Sequence, residues 1–309
     1  MRTEALPRPR PAEDGLVARV LAGSTLPILT IAAALVLIWY VAAIFLNAPV
    51  LRDSYERAGR AGVTTQELIG DAWAMERPIL PAPHQVVFEL NKTVLQIDPT
   101  SRRSLVYHAW VTLSSALVGF AMGALMGIVL AVGIVHVRTL ERSLMPWIIA
   151  SQTIPILAIA PMIIVVLAAV GIVGLVPKAF ISAYLCFFPV TIGMVKGLTS
   201  PEPIQLDLMR TYSASTSQTF FMLRWPSALP YLFASLKVAV ALAVVGAIVG
   251  ELPTGAQAGI GARLLAGSYY GQTIQIWAAL IGAAVLAGLS VALVGVVERI
   301  TLRRMGARP

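Results

Sequence analysis

Charge is scarce in this sequence of 309 residues, of which only 12% are Asp, Glu, Lys or Arg. Soluble domains carry about 25% charged residues, so this content argues against a soluble enzyme with a polar exterior. Cysteine is nearly absent too: Cys186 is the only one, which excludes a disulfide scaffold. Apolar residues make up 58% of the chain, and the mean hydropathy is +0.81. The sequence therefore indicates an integral membrane protein.

Long uncharged runs predict the membrane helices. Asp, Glu, Lys and Arg are absent from 20–51, 104–137, 143–177 and 264–297. Each run exceeds the ~20 residues that cross a bilayer as a helix. Two shorter apolar stretches follow Lys178 and Arg224, and the second is interrupted only by Lys237. We expect an all-α protein with six transmembrane helices over 20–47, 105–135, 145–168, 172–196, 228–250 and 273–298. The first run is too long for a cleaved signal core, so we expect it to be retained.

The distribution of Lys and Arg predicts the orientation. Basic residues concentrate in both termini and in the loops at 136–144 and 197–227, whereas the opposite short connections hold only Lys178 and Arg263. Both termini are therefore expected in the cytoplasm. The pI of about 10.0 follows from this arrangement, and no basic patch with interleaved aromatics indicates nucleic-acid binding.

The expected organisation starts with a disordered cytoplasmic leader over 1–19 and a first transmembrane helix over 20–47. An extracytoplasmic segment over 48–104 follows, in which residues 84–97 have the spacing of an amphipathic helix. Such a helix could lie on the bilayer surface or pack on other protein. A core of five transmembrane helices covers 105–298, and a cytoplasmic tail covers 299–309.

The loop over 199–226, between the fourth and fifth helices, has the most informative pattern. It predicts a short helix from Asp207, a break at Ser213 and a second short helix that ends before Pro226. An exposed helix pair of this kind can dock into a groove on a partner. The bare pattern is equally that of an ordinary cytoplasmic loop.

In its spacing, this loop resembles that of the permease subunits of binding-protein-dependent ABC importers, in the group of nitrate, sulfonate and taurine permeases. Their loop reads Glu-Ala-Ala, three residues, Gly, then a dozen residues to Leu-Pro. Here those positions hold Asp207, Leu208, Met209, Ser213 and Trp225-Pro226. Further matches over 80–298 are Leu80-Pro81-Ala82-Pro83, Thr139-Leu140-Glu141-Arg142, Ile154-Pro155-Ile156-Leu157-Ala158-Ile159-Ala160-Pro161, Phe187-Phe188-Pro189, Ala228-Leu229-Pro230 and Glu251.

The resemblance implies a type I ABC importer permease, multi-pass in the inner membrane, and it implies partners. These are two ATPase subunits, an extracytoplasmic substrate-binding protein and a second permease copy, identical or related. The ATPase-coupling residues would be Asp207, Leu208, Met209, Tyr212, Ser213, Ala214, Leu223 and Pro226. Serine adopts a left-handed turn less readily than the glycine of the family, which leaves the angle between the two short helices open.

The sequence contains no ATP-binding motif of the Walker A type. A phosphate-binding Walker A loop needs Gly directly before its Lys, and the four lysines follow Asn91, Pro177, Val195 and Leu236. We therefore expect no cofactor on this chain, with ATP and Mg²⁺ on the partner ATPase, and no enzymatic activity. The solute would be small and polar, of the nitrate, sulfonate or taurine class or the vitamin or pyrimidine-precursor class.

Three further groups of residues have candidate roles. Gly119, Gly123 and Gly127 recur every four residues in the second helix, which is typical of close helix packing. Proline interruptions beside polar residues predict a translocation path in the third helix, or a simple kink. The path residues would be Ser151, Gln152, Thr153, Pro155 and Pro161. Glu251 would serve the outer gate or binding-protein docking, or only solvate the interface.

Two alternatives belong to other classes of protein. A self-sufficient secondary transporter or channel usually needs intramembrane ionisable residues. Here they reduce to Lys237, which is expected to snorkel to the interface. A membrane-embedded enzyme lacks a visible nucleophile or base, and the scattered His84, His108 and His136 predict no metal site.

Overall fold

A computed structural model of the chain describes residues 25–60, 62–253 and 256–306, and these residues form helices and no strand. In chain order the helices are α1 (Thr25–Arg57), α2 (Thr65–Ala74), α3 (Pro83–Asn91), α4 (Leu105–His136), α5 (Arg138–Ser151), α6 (Ile156–Ala169), α7 (Leu175–Leu198), α8 (Pro203–Thr211), α9 (Thr216–Thr219), α10 (Trp225–Glu251), α11 (Ile260–Tyr269) and α12 (Thr273–Arg304). Lys92–Gln96 and Phe220–Arg224 are π-helical turns. The leader expected over 1–19 lies outside the described residues.

The described helices confirm the all-helical membrane architecture. Five segments are long and apolar enough to cross a bilayer: Leu26–Arg57, Leu105–His136, Leu175–Leu198, Thr216–Glu251 and Thr273–Arg304. Helices α5 and α6 pass the same test together, but they meet at a bend of 102°. The described residues therefore hold five helices that can span a bilayer, or six where the bent pair counts as one span.

The chain divides into two compact units, one up to Val86 and one from Val87 onward. In the first, Asn47 is fully buried and its amide makes four hydrogen bonds. It donates to the carbonyls of Ala72 and Leu80 at 3.1 and 3.0 Å and accepts from the N–H groups of Ile79 and Leu80 at 2.9 and 3.2 Å. Helix α1 runs ten residues past its expected end at 47, because Leu51 packs in a small buried cluster with Ala72.

In the second unit α7 packs mainly against α4 and α10, and these two helices also contact each other. The small-residue face predicted on α4 lies against α7. A Cβ atom added at Gly123 would be 2.6 Å from the Cβ of Cys186, and one added at Gly127 would be 2.8 Å from the carbonyl oxygen of Phe187. Gly119 meets Ser182 at still shorter range. Only glycine allows the two helices to approach this closely.

The expected third helix over 145–168 is interrupted beside Pro155, as the proline pattern predicted. Helix α5 ends at Ser151 and α6 begins at Ile156, with Pro155 at its N-cap. The second predicted interruption, at Pro161, is absent because α6 runs through that residue. A proline six residues into a helix removes one hydrogen bond, and here the neighbouring turns continue the helix.

Lys237, which is expected to snorkel, has a partner within the chain. Its ammonium group pairs with the carboxylate of Glu298, which α12 places beside α10. The pair links the two helices through side chains that are 36% and 16% exposed. The sequence did not predict Glu298 as the partner of Lys237, because a charged residue at the end of an apolar run is typical of the membrane interface.

Candidate functional site

The 199–226 loop presents an apolar stripe to solvent. Ile204, Leu208 and Tyr212, spaced four residues apart along α8, are 73%, 55% and 77% exposed. Side chains at this spacing lie on one face of a helix. On the other side of α8, Leu206 and Met209 are half-buried. The stripe is therefore an apolar surface that this chain leaves uncovered.

The stripe ends at a left-handed turn. Ser213 has φ +52°, and it is the only described residue other than glycine with a positive φ. Its N–H donates to the carbonyl of Arg210 at 2.8 Å, and the N–H of Ala214 donates to the carbonyl of Met209 at 3.0 Å. Ser215 then caps α9 by accepting from the N–H of Gln218. Serine thus adopts the conformation that the matching glycine of the family would provide.

The second half of the loop does not end before Pro226, contrary to expectation. The π-helical turn Phe220–Arg224 joins α9 to α10, so the helix is continuous from Thr216 to Glu251. In that wider turn the N–H of Trp225 bonds the carbonyl of Phe220, five residues back. The local widening lets the helix pass Pro226, whose ring clashes with the carbonyl four residues back in a regular α-helix.

Aromatic contacts tie the loop to the bundle. The ring of Phe220 lies 5.4 Å from that of His136 at the end of α4 and 6.0 Å from that of Trp225. The guanidinium of Arg224 donates to the carbonyl of Leu198 at the end of α7 at 3.3 Å. Sequence reasoning missed Phe220 and His136 as a pair, because they are far apart in the chain and belong to no shared motif.

The eight residues predicted for coupling fall into two sets. Asp207, Leu208, Tyr212 and Ser213 are exposed, and Asp207 pairs with Arg210 at 3.0 Å on the surface. Met209, Ala214, Leu223 and Pro226 are half-buried. The first set can contact a partner directly, whereas the second is partly covered by this chain.

The break between α5 and α6 gathers the predicted path residues. Ser151, Gln152, Thr153 and Pro155 form the bend, and all but Ser151 are exposed. The hydroxyl of Tyr184 on α7 donates to the carbonyl of Ser151 at 2.6 Å, which fixes the start of the break. Pro161 lies one and a half turns into α6 and is exposed.

At the far end of α10, Glu251 is fully buried and joins three polar elements. Its carboxylate accepts from the hydroxyl of Thr112 at 2.9 Å and from the N–H of Gly261 at 2.7 Å. The hydroxyl of Thr112 in turn accepts from the N–H of Ile260 at 2.8 Å. Nδ1 of His108 accepts from the N–H of Gly259 at 3.0 Å, so its proton is on Nε2, which donates to the carbonyl of Arg102 at 2.9 Å.

We call His108, Thr112, Glu251 and the N–H groups of residues 259–261 the Glu251 cluster. Three successive N–H groups at the start of α11 have no helical acceptor of their own. In this cluster each of them donates to a different side chain. Glycine is required at two of these positions, because a Cβ at Gly259, where φ is +122°, would collide with the Glu251 carboxylate, and one at Gly261 would lie 2.8 Å from the Glu251 Cβ.

The sequence identified only Glu251 in this cluster. His108 and Thr112 stand about 140 residues earlier in the chain, and their one-turn spacing on α4 resembles any polar interruption of an apolar helix. The described residues hold no group of three or more His, Cys, Asp and Glu side chains that could bind a metal.

A bundle of five or six apolar spans is a multi-pass integral membrane protein. Residues 123–306 match the family described as the binding-protein-dependent transport system inner membrane component, and the chain belongs to that family.

Individual relatives agree with the family. The chain is 31% identical over 209 residues to a probable ABC transporter permease protein of Haemophilus influenzae, which covers 68% of this chain and 83% of the relative. It is 34% identical over 183 residues to a formylaminopyrimidine transport permease protein of Halalkalibacterium halodurans, over 59% and 68% of the two chains. It is 33% identical over 225 residues to a riboflavin transport system permease protein of Chloroflexus aurantiacus, over 73% and 80%.

The chain is thus a transmembrane permease subunit of an ABC importer, multi-pass in the inner membrane. Permeases of this family work with an ATPase and a substrate-binding protein.

Proposed function

We propose that the 199–226 loop couples this permease to a separate ATPase subunit through the stripe of Ile204, Leu208 and Tyr212. The supporting observation is the exposure of all three side chains on one face of a short helix outside the apolar spans. Burying such a face in a groove removes apolar surface from water, at about 25 cal/mol per Å². The left-handed Ser213 turn sets the direction of α8 relative to the helix that continues into α10.

The proposed complex contains two ATPase subunits and two permease chains, which are identical or related. ATP and Mg²⁺ bind the ATPase, because no lysine of this chain follows the glycine of a phosphate-binding loop. With the loop in the cytoplasm, closure of the two ATPases moves the two loops together. The paired bundles then turn from inward- to outward-facing, receive solute from the extracytoplasmic binding protein and reset after hydrolysis.

We place the translocation path along the break between α5 and α6. A bend of 102° frees carbonyl groups that a continuous helix would bond, and such groups line solute cavities in bundles. Gln152 and Thr153 add exposed polar side chains at the same place.

We assign the Glu251 cluster to the outer gate. The carboxylate of Glu251 is fully buried and accepts a hydrogen bond from the N–H of Gly261, so it fixes the position of the start of α11. This burial favours a gate role over direct contact with the binding protein.

For the solute we propose a small polar molecule, with a vitamin or pyrimidine precursor ahead of nitrate, sulfonate or taurine. The support is that two relatives above 30% identity are named for formylaminopyrimidine and riboflavin transport. Both names describe nitrogen heterocycles.

Co-purification of the tagged permease with the products of its neighbouring genes tests this function. We expect an ATPase to co-elute in equal number with the permease and its hydrolysis to rise when the binding protein is added. A permease that elutes alone and transports solute in liposomes without ATP would contradict the proposal.

A further inference from the structure

Two cavities are lined by neighbouring residues of α3 and the start of α4, both within the second unit. The first, which we call the polar cavity because most of its lining residues are charged or polar, has a volume of about 280 Å³ and is lined by Glu89, Lys92, Arg103 and Arg263 among others. The second is apolar, has a volume of about 330 Å³, and lies between α4 and α12. Consecutive residues face the two sides: Glu89 lines the polar cavity and Leu90 the apolar one.

The polar cavity carries an excess of positive charge. Three cationic side chains face one carboxylate, that of Glu89, and Lys92 and Arg103 are exposed. The excess suits an anionic group. Phosphate is a natural candidate, since lysine and arginine are its usual protein partners.

Arg263 is the buried member of this group, with a side chain only 14% exposed. Its Nη1 donates to the carbonyl of Arg103 at 3.0 Å, and its Nη2 lies 3.8 Å from the Glu89 carboxylate. A guanidinium has five N–H donors, so these contacts leave capacity for an anion. Burial lowers the pKa of the Arg263 guanidinium and Glu89 raises it, as expected for a cation whose desolvation is only partly offset.

The apolar cavity opens to the outer surface of two apolar spans, α4 and α12. It is lined by Leu90, Val94, Leu105, Val106 and Val285, of which Val106 and Val285 are 38% and 54% exposed. Its α4 residues lie at the start of that helix, and its α12 residues begin at Ile281, about 12 Å from the start of α12. Two of its lining residues, Leu286 and Leu289, also line a second apolar cavity of about 430 Å³ further along α12.

We propose that the two cavities together form a binding site for one anionic phospholipid. Its phosphate lies among Lys92, Arg103 and Arg263, and one acyl chain runs down the groove between α4 and α12. An acidic side chain of a soluble partner could match the charge, but it would leave the groove at bilayer depth empty. The pairing of a cationic pocket with an adjoining apolar groove is what favours a lipid.

The test is native mass spectrometry of the intact transporter, purified from membranes and exposed to phosphatidylglycerol or phosphatidylcholine. Wild type should retain phosphatidylglycerol preferentially. The double variant Lys92→Gln with Arg103→Gln should bind it about tenfold more weakly or worse, since each basic residue near a bilayer adds about a factor of five. The single variant Arg103→Gln should already weaken retention, and its matched control is Arg102→Gln, which removes the same single charge from an exposed neighbour outside the cavity.

A second pair of variants tests the groove. Val285→Trp should fill the apolar cavity and lower lipid retention, whereas Val296→Trp, equally exposed on α12 but outside these cavities, should leave it unchanged. Glu89→Gln removes the one negative charge of the pocket and should strengthen retention several-fold. A purely structural Glu89–Arg263 pair predicts no such gain.

Three results would overturn the proposal. Equal retention of both lipids by wild type and variants means that there is no site. Sensitivity to the cationic variants with none to Val285→Trp means that the pocket binds an anionic headgroup without an acyl chain in the groove. Unchanged lipid retention together with lost stimulation by the binding protein means that the pocket docks an acidic group of that protein instead.

Discussion

Helix α10 has 27 residues, so its two ends lie ~40 Å apart. The side chains at these two ends differ in both polarity and exposure. At the Glu251 cluster the side chains are polar and buried, and each N–H group of residues 259–261 has an acceptor within the chain. At the 199–226 loop the side chains are apolar and exposed, and one residue adopts a strained left-handed conformation. A buried polar group is costly unless it has hydrogen-bond partners within the chain, whereas an exposed apolar stripe is stabilised when another chain covers it. The Glu251 end therefore has its partners within the chain, and the loop end exposes a surface that suits a second protein.

Close packing connects the two ends. Gly119, Gly123 and Gly127 bring α4 within backbone contact of α7, and both helices pack against α10. Interiors packed at this density transmit displacement because they deform little. A movement at the loop would therefore reach the Glu251 cluster through a stiff connection.

The largest expected effect is at the Glu251 cluster. Glu251→Ala leaves the hydroxyl of Thr112 and the N–H of Gly261 without their acceptor and should lower the free energy of unfolding by about 3 kcal/mol. Glu251→Gln keeps one acceptor oxygen and should lose about 1 kcal/mol. An SDS-unfolding titration of the purified transporter measures both. Equal stability of the two variants and wild type would show that the cluster does not hold α11.

The loop should give a large functional effect with little effect on stability. Leu208→Asp puts a charge in the middle of the stripe and should reduce ATP-dependent uptake at least tenfold, while unfolding stays as in wild type. Arg210→Asp introduces the same residue two positions on, where it points to the opposite side of α8, and should keep most uptake. Uptake assays in membranes with matched protein levels compare them. Similar losses in both would remove the assignment of the stripe.

Packing between the ends can be tested with a pair of glycines. Gly123→Ala places a methyl group 2.6 Å from the Cβ of Cys186 and should destabilise by about 1 kcal/mol, since overpacking exceeds the gain in helix propensity. Gly288→Ala on α12 meets nothing within 4 Å and should be neutral or slightly stabilising. The thermal midpoint of the purified protein distinguishes them. A stabilised Gly123→Ala variant would mean that α4 and α7 are less tightly joined.

The smallest expected effect is at the turn. Ser213→Gly removes the steric penalty of φ +52° and should stabilise the protein by about 0.5 kcal/mol, with uptake retained. Ser213→Val should destabilise it and reduce uptake, because a β-branched side chain resists this conformation. If valine proved as good as glycine, the left-handed turn would be irrelevant to coupling.

Features with a local cause were predictable from the sequence. The uncharged runs gave the long spans, and the spacing around Ser213 placed the turn where the structure has it. The break at Pro155 was also predictable, because three polar residues followed closely by a proline interrupt the apolar pattern of a continuous helix.

Features that depend on distant contacts were not predictable. Nothing near Thr112 indicates that it will meet Glu251, and nothing near Lys237 indicates Glu298. The continuity of the helix through Pro226 depends on a π-helical turn, for which the sequence has no reliable signal. The interruption predicted at Pro161 was wrong, because a helix can continue through a proline when the neighbouring turns keep their hydrogen bonds.

The proposed coupling role of the loop requires that the ATPase covers α8. The buried Cys186 is the only native cysteine, so a single introduced cysteine reports on its own position. Tyr212→Cys on the stripe and Tyr269→Cys at the end of α11 start from similar exposure, 77% and 79%. Maleimide labelling in detergent, with and without the co-expressed ATPase, should show protection at position 212 and none at position 269. Equal labelling of position 212 in both preparations would contradict the coupling role of the loop.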